Sequence, residues 1–236
     1  MLARYRECQL VILFCVMSVP VMADDQFVDL FDGTSLTGWV QHGGTAKYRV
    51  ADGAIIGQSV PNTSNSFLCT ENDYGDFVLE YEFKCDAELN SGVQFRSTVY
   101  GQDTTVTVDG NDVKISAGQV HGYQCEIDPN QSQRMWSSGI YDEGRRGWLY
   151  PGLKGGDREA FSKQGQKLYK PGEWNSVRVV CRGDHIQTWL NGELRADFHD
   201  DCTAEGFVGL QVHGVGGRQD PLEVRWRNIR IKNLTD

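Results

Sequence analysis

"WNSVRVVCRGDHIQTWLNGELRADF", residues 174–198, decides the fold. Short apolar or alternating runs are separated by Gly183-Asp184 and by Asn191-Gly192. Asn-Gly suits a two-residue hairpin because both central residues of a type I′ turn take positive φ. The stretch therefore predicts consecutive antiparallel strands joined by tight turns.

The same grammar continues in both directions. "KYRVADGAIIGQ", "FVLEYEFKC", "SGVQFRSTVY", "GYQCEIDP", "GFVGLQVHG" and "LEVRWRNIRIKNL" are short runs bounded by Gly, Asn and Asp, and helical periodicity is nearly absent. Many short strands at this spacing predict an all-β sandwich or barrel. Residues 129–172 break the rhythm, being polar and Gly-rich with interleaved aromatics. So long a connection in a compact domain reads as a functional loop.

The start of the chain reads as a leader. Arg4 and Arg6 precede an apolar run from Leu10 to Val19, followed by Pro20 and Val21-Met22-Ala23. This is the layout of a cleaved signal peptide, too short in its apolar part to span a bilayer. The expectation is export to the periplasm or the exterior, no membrane anchor, and one domain over residues 24–236. The full chain carries −9, and Arg4, Arg6 and Glu7 contribute +1, so the remainder is near −10. An acidic chain without a Lys/Arg run is a poor partner for nucleic acid. Cys69, Cys85, Cys125, Cys181 and Cys202 remain, an odd number with no CxxC spacing. Zinc is disfavoured, and either one or two disulfides or buried thiols are open.

"GYQCEIDP", residues 122–129, carries the chemistry. As a strand it sends Tyr123, Cys125 and Ile127 to one face and Gln124, Glu126 and Asp128 to the other. Gln94 and Arg96, and Gln211 and His213, alternate with apolar neighbours in the same way. These polar rows are rich in Gln, Glu, Asp, Arg and His, which suits a site better than a merely solvated face.

From "LFDGTSLTGW" through "NSGVQFRS", "GYQCEIDP", "SSGIYD", "KPGEWNSVRVVCRGDHIQTWLNGE" and "GFVGLQVHG" to "RWRNIRIK", the chain resembles the 3-keto-disaccharide hydrolase family. The resemblance implies a concanavalin A-like jelly roll of two curved antiparallel sheets, a saccharide substrate, and action on glycosides oxidised to a ketone at C3. Such a ketone acidifies the C2 proton. A base can remove it, the group on C1 can leave by elimination, and water can add back. Glu126 is the expected base, with Asp128 or His213 as second acid/base group. Gln94, Arg96, Gln124 and Gln211 are expected to hold the enediolate or the sugar hydroxyls. Tyr141, Asp142, Arg145 and Trp148 are expected as substrate contacts from the long segment, with Tyr150 beside them. Trp39, Trp174 and Trp226 read as packing. A divalent cation at Glu126 or Asp128 is possible, though no ligand motif points to it. The oligomeric state is not legible.

Two other readings stay open. Jelly rolls often bind saccharides without cleaving them. An ordinary retaining glycosidase needs two carboxyls about 5–5.5 Å apart, which Glu126 and Asp128 could approach. Arg96 could also be a structural partner of Glu126 or Glu82.

Overall fold

The structure is a computed structural model that describes residues 26–129 and 134–234. The leader and its cleavage point after Ala23 lie outside the described residues.

In chain order the first strands are β1 Val28–Asp29, β2 Trp39–Gly43, β3 Lys47–Ala51, β4 Ala54–Gln58, β5 Ser66–Tyr74 and β6 Phe77–Cys85. Then come β7 Ser91–Val99, β8 Thr104–Val108, β9 Asn111–Ile115, β10 Val120–Ile127, β11 Ile140–Glu143 and β12 Gly147–Tyr150. Helix α1 Arg158–Leu168 precedes β13 Asn175–Arg182, β14 His185–Leu190, β15 Glu193–His199, β16 Gly206–Val212 and β17 Glu223–Asn233.

Two antiparallel sheets face each other. One runs β15-β14-β13-β6-β17-β4-β3 with β1 added to β17, and the other runs β12-β11-β10-β7-β16-β5-β2. Hairpin β8–β9 stands apart as a two-stranded sheet. This is the expected jelly roll. Between the sheets, alternate residues of each strand form one core, including Leu79, Tyr81, Phe83, Val93, Phe95, Tyr123, Cys125, Ile127, Val208, Leu210 and the fully buried Trp226.

The turn chemistry works as the sequence predicts. Asn191 and Gly192 have φ of 51° and 90°, and Asp52-Gly53 and Asp109-Gly110 join their strands with the same pair of positive angles. No disulfide forms among the described residues: Cys69, Cys85, Cys125 and Cys181 are buried thiols and Cys202 is half-buried. Trp39 is buried and donates its indole N–H to the Leu30 carbonyl, and the Arg227 guanidinium lies 4.1 Å above the Trp174 ring.

One expectation changes. Residues 129–172 are not a loop: they contain β11, β12 and α1. Asp157 caps the helix by accepting from the Ala160 N–H, and Phe161 and Gly165 pack inward. The segment's Gly and polar content hid two short strands that extend the site sheet to its β12 edge.

Candidate active site

The site lies on the outer face of the seven-stranded sheet, in a trough of about 560 Å³. β10 supplies Gln124, Glu126 and, just past its end, Asp128, while Tyr141 and Glu143 come from β11 and Trp148 from β12. Gln211 from β16, His213 beyond it and Asn90 ahead of β7 complete the inner lining. Gln124 pairs with Gln94 on β7 and with Tyr141 on β11, and Glu126 pairs with Gly92. Gly92 is required there: a Cβ would stand 2.4 Å from the Gln124 side-chain carbonyl carbon. Its bare backbone lets Gln124 lie over the neighbouring strand.

Glu126 is held by amides. Gln124 Nε2 donates to its Oε2 at 3.0 Å, and Asn90 Nδ2 donates to Oε1. Gln94 in turn donates to Gln124 Oε1 at 2.6 Å, and Ser97 Oγ donates to Gln94 Oε1 at 2.8 Å. The chain Ser97–Gln94–Gln124–Glu126 thus runs in one direction and ends on the carboxylate. Burial pushes the Glu126 carboxyl up to about 7, against the two amide donors, which favour its charged form. Asp128 is buried and receives the Arg134 guanidinium at 2.8 Å. Arg134 also lies over the rings of Trp136 and Trp148, at 4.7 and 5.0 Å, and Tyr141 meets Trp148 edge-on at 5.3 Å. Polar floor and aromatic wall together are what a sugar ring requires.

Glu126, Asp128, His213, Gln124, Tyr141, Trp148 and Gln211 of the expected residues are gathered in the trough. Four are not. Arg96 is fully buried with φ of 44°, so the alternation of β7 breaks there. Its guanidinium bonds the Gly75 and Gly183 carbonyls and Asp76, and touches neither Glu126 nor Glu82. Gln94 lies beneath the lining and acts on Gln124. Asp142 points to the opposite face from Tyr141 and Glu143, where Arg145 and Arg146 bind it at 2.7 and 2.6 Å. Arg145 lies with it, 5.4 Å over the Tyr123 ring. Tyr150, too, is packing, stacked on Phe198 at 5.8 Å.

Sequence reasoning missed Asn90, Arg134 and Glu143. Asn90 precedes its strand and carries no periodic signal. Glu143 was legible in principle, since "IYDE" alternates, but it lay inside the segment read as loop. Among the described residues no group of three or more His, Cys, Asp or Glu side chains forms a metal site, so the cation considered from the sequence finds no such ligand set there.

The fold is a jelly roll with a polar, aromatic-walled trough on the outer face of one sheet. The chain belongs to the 3-keto-disaccharide hydrolase family: the profile of the 3-keto-alpha-glucoside-1,2-lyase-like domain matches residues 26–232. A protein from Parabacteroides distasonis described as a candidate glycosyl hydrolase is similar at 22% identity and a TM-score of 0.55, over 89% of this chain and 94% of that one. A Bacillus subtilis protein with a galectin-like fold reaches a TM-score of 0.56 at 10% identity, over 84% of this chain and 90% of that one. No curated protein matches the chain.

Proposed function

We propose that the protein cleaves glycosides oxidised at C3, with Glu126 removing the C2 proton. The observation that carries this reading is a buried carboxyl, pushed up to about 7, on the floor of a sugar-sized trough in a chain of this family. A base with a pKa near the working pH combines enough ionised form with enough basicity. Gln124 and Asn90 fix the carboxylate from below, and the wall of Tyr141 and Trp148 offers a stacking surface for the ring. Loss of the C2 proton gives an enediolate, whose collapse expels the C1 substituent. Water then adds across the C1–C2 double bond. Asp128 and His213 line the same trough and are the other ionisable groups of the sequence reading.

Export after Ala23 and a single jelly-roll unit from residue 24 belong to the same proposal. Secreted material should begin at or near Asp24 on N-terminal sequencing, and an intact Met1 would refute export.

The deciding experiment compares matched glycosides with and without a C3 ketone in deuterated water. Turnover of the keto substrate alone, with deuterium at C2 of the product, supports elimination and hydration. Cleavage of the unoxidised glycoside points to an ordinary glycosidase, and saccharide binding without turnover to a lectin. Glu126→Gln should lower turnover by ~10²–10⁴-fold while binding survives. Full activity in that variant removes Glu126 from the role.

A further inference from the structure

The reading above leaves two acidic groups of the trough idle. Glu88 is exposed and paired with Arg218, whereas Glu143 is not paired with any guanidinium among the described residues. Glu143 projects from β11 on the same side as Tyr141, and Gln211 Nε2 reaches its Oε2 at 3.4 Å from β16, across the two intervening strands. Between these strands the register places Gly122 opposite Glu143 and Gly92 opposite Gln211, so no side chain from those positions fills the gap. Tyr141 lines the same trough, and burial together with both carboxylates raises its hydroxyl.

Their surroundings differ. Glu126 accepts from two amides and feels the Arg134 charge, all of which favour its ionised form. Glu143 has one long contact and Asp142 as its chain neighbour, and no guanidinium bonds it among the described residues. The buried Gln211 Oε1 makes no hydrogen bond among the described residues. The two ends of a Gln amide exchange by a half turn. Turned over, Gln211 offers that oxygen to Glu143, and a protonated Glu143 is the donor it would accept from. Burial raises the Glu143 carboxyl as well, to about 7.

We propose that Glu143 is the general acid of this site, protonating the glycosidic oxygen as the C1–O bond breaks, with Gln211 holding its carboxyl group. This rests on the elimination reading. The Glu126 carboxylate takes the C2 proton, and the C2–H electron pair becomes the enediolate. The C3 carbonyl re-forms as the C1–C2 double bond forms and the C1–O bond breaks. The departing oxygen takes the proton of Glu143. In hydration the Glu143 carboxylate accepts a proton from water as its oxygen adds to C1, and Glu126 returns its proton to C2. Both groups end as they began.

The test uses Glu143→Gln with two 3-keto-glucosides, one with a sugar leaving group and one with a nitrophenyl group, which departs without a proton. Release of the sugar leaving group should fall by ~10²–10⁴-fold, whereas first-turnover release of nitrophenolate, which precedes hydration, should be nearly unchanged. In deuterated water the unreacted sugar-bearing substrate should gain deuterium at C2 with Glu143→Gln and not with Glu126→Gln. Equal losses on both leaving groups, or loss of C2 exchange in Glu143→Gln, would overturn the assignment while leaving the elimination reading intact. If the wild-type protein neither exchanges C2 nor cleaves a keto substrate, the elimination reading fails and takes this role with it.

Discussion

Strands β10 and β11 carry Glu126 and Glu143 on the trough face, while Asp142 of β11 turns to the other face and shares Arg146 with Asp200 from just past β15. The two sets are treated in opposite ways. On the trough face Glu126 and Glu143 meet amides, and burial raises both. On the other face Asp142 meets Arg145 and Arg146, and Asp200 meets Arg146 at 2.9 Å, Lys154 at 2.8 Å and the Tyr123 hydroxyl. There the basic groups hold Asp200 far below the usual carboxylate range, although its burial works against them. A one-residue step along the strand changes the partner from amide to guanidinium. That step separates carboxyls held by amides from carboxyls paired with guanidinium groups.

The largest effect should come from breaking the locked side. Arg146 contacts Asp142, Asp200 and Asp109, and its side chain is 7% exposed. Arg146→Ala leaves two buried carboxylates short of a partner, so unfolding in urea should show a loss of about 3–5 kcal/mol. A loss under about 1 kcal/mol would place the knot in the class of exposed pairs.

The pH dependence of stability sharpens the contrast. Glu126 and Glu143 titrate near 7 in the fold against 4.5 as ordinary carboxyls, so the folded state binds more protons between these values. Stability therefore falls as pH rises from about 4.5 to 7, by up to ~1.4 kcal/mol per pH unit for each group. Asp200 acts oppositely: its lowered pKa gives stability that is present above about 4 and lost in acid. Buried His121, whose pKa is lowered, also favours the higher pH in the upper window, and Asp128, Arg134, Tyr141 and Asp142 surround the two glutamates. The informative quantity is thus wild type minus variant. Glu126→Gln with Glu143→Gln should flatten the slope between pH 5 and 7, and Asp200→Asn should flatten only the acid limb. An unchanged slope in the double variant would show that the trough carboxyls are hydrated and ordinary.

Gln94→Leu should cost about 1–3 kcal/mol, because Gln124 Oε1 and Ser97 Oγ lose a buried partner. It should also lower kcat more than it raises KM, since Gln94 acts on Glu126 only through Gln124. A pure KM effect would mean that Gln94 touches substrate. Trp148→Ala should raise KM by the worth of one aromatic contact, about 0.5–1.5 kcal/mol, with the fold intact. Unchanged kinetics across a panel of leaving groups would remove the wall from recognition.

The strands and their hairpins were legible because period-two alternation and Asn-Gly or Asp-Gly turns are local signals. "FVLEYEFKC" and "SGVQFRSTV" are strands β6 and β7 as they stand in the sequence. β5 was harder: "SFLCTENDY" begins as an unbroken apolar run and ends as an unbroken polar one. The site was legible only along β10, where alternation persists to Asp128. Arg96 escaped because a positive φ at a bulge leaves no mark in the residue pattern. Asp142 and Glu143 were both visible as acids, but which faced the trough depended on pairing β11 with β10, a long-range fact. The identity of a polar strand residue is local, whereas its partner is not.

Arg96 has a mechanical meaning. It belongs to the central strand of the site sheet, yet its guanidinium ends on the Gly75–Asp76 turn and on Gly183, between strands of the opposite sheet. It is a tie rod bolted through the sandwich, with three anchor points at its far end. Flattening the trough would require pulling that rod from its seat, for it joins the middle of the site sheet to the turn that leads into the opposite sheet and to the β13–β14 hairpin of that sheet.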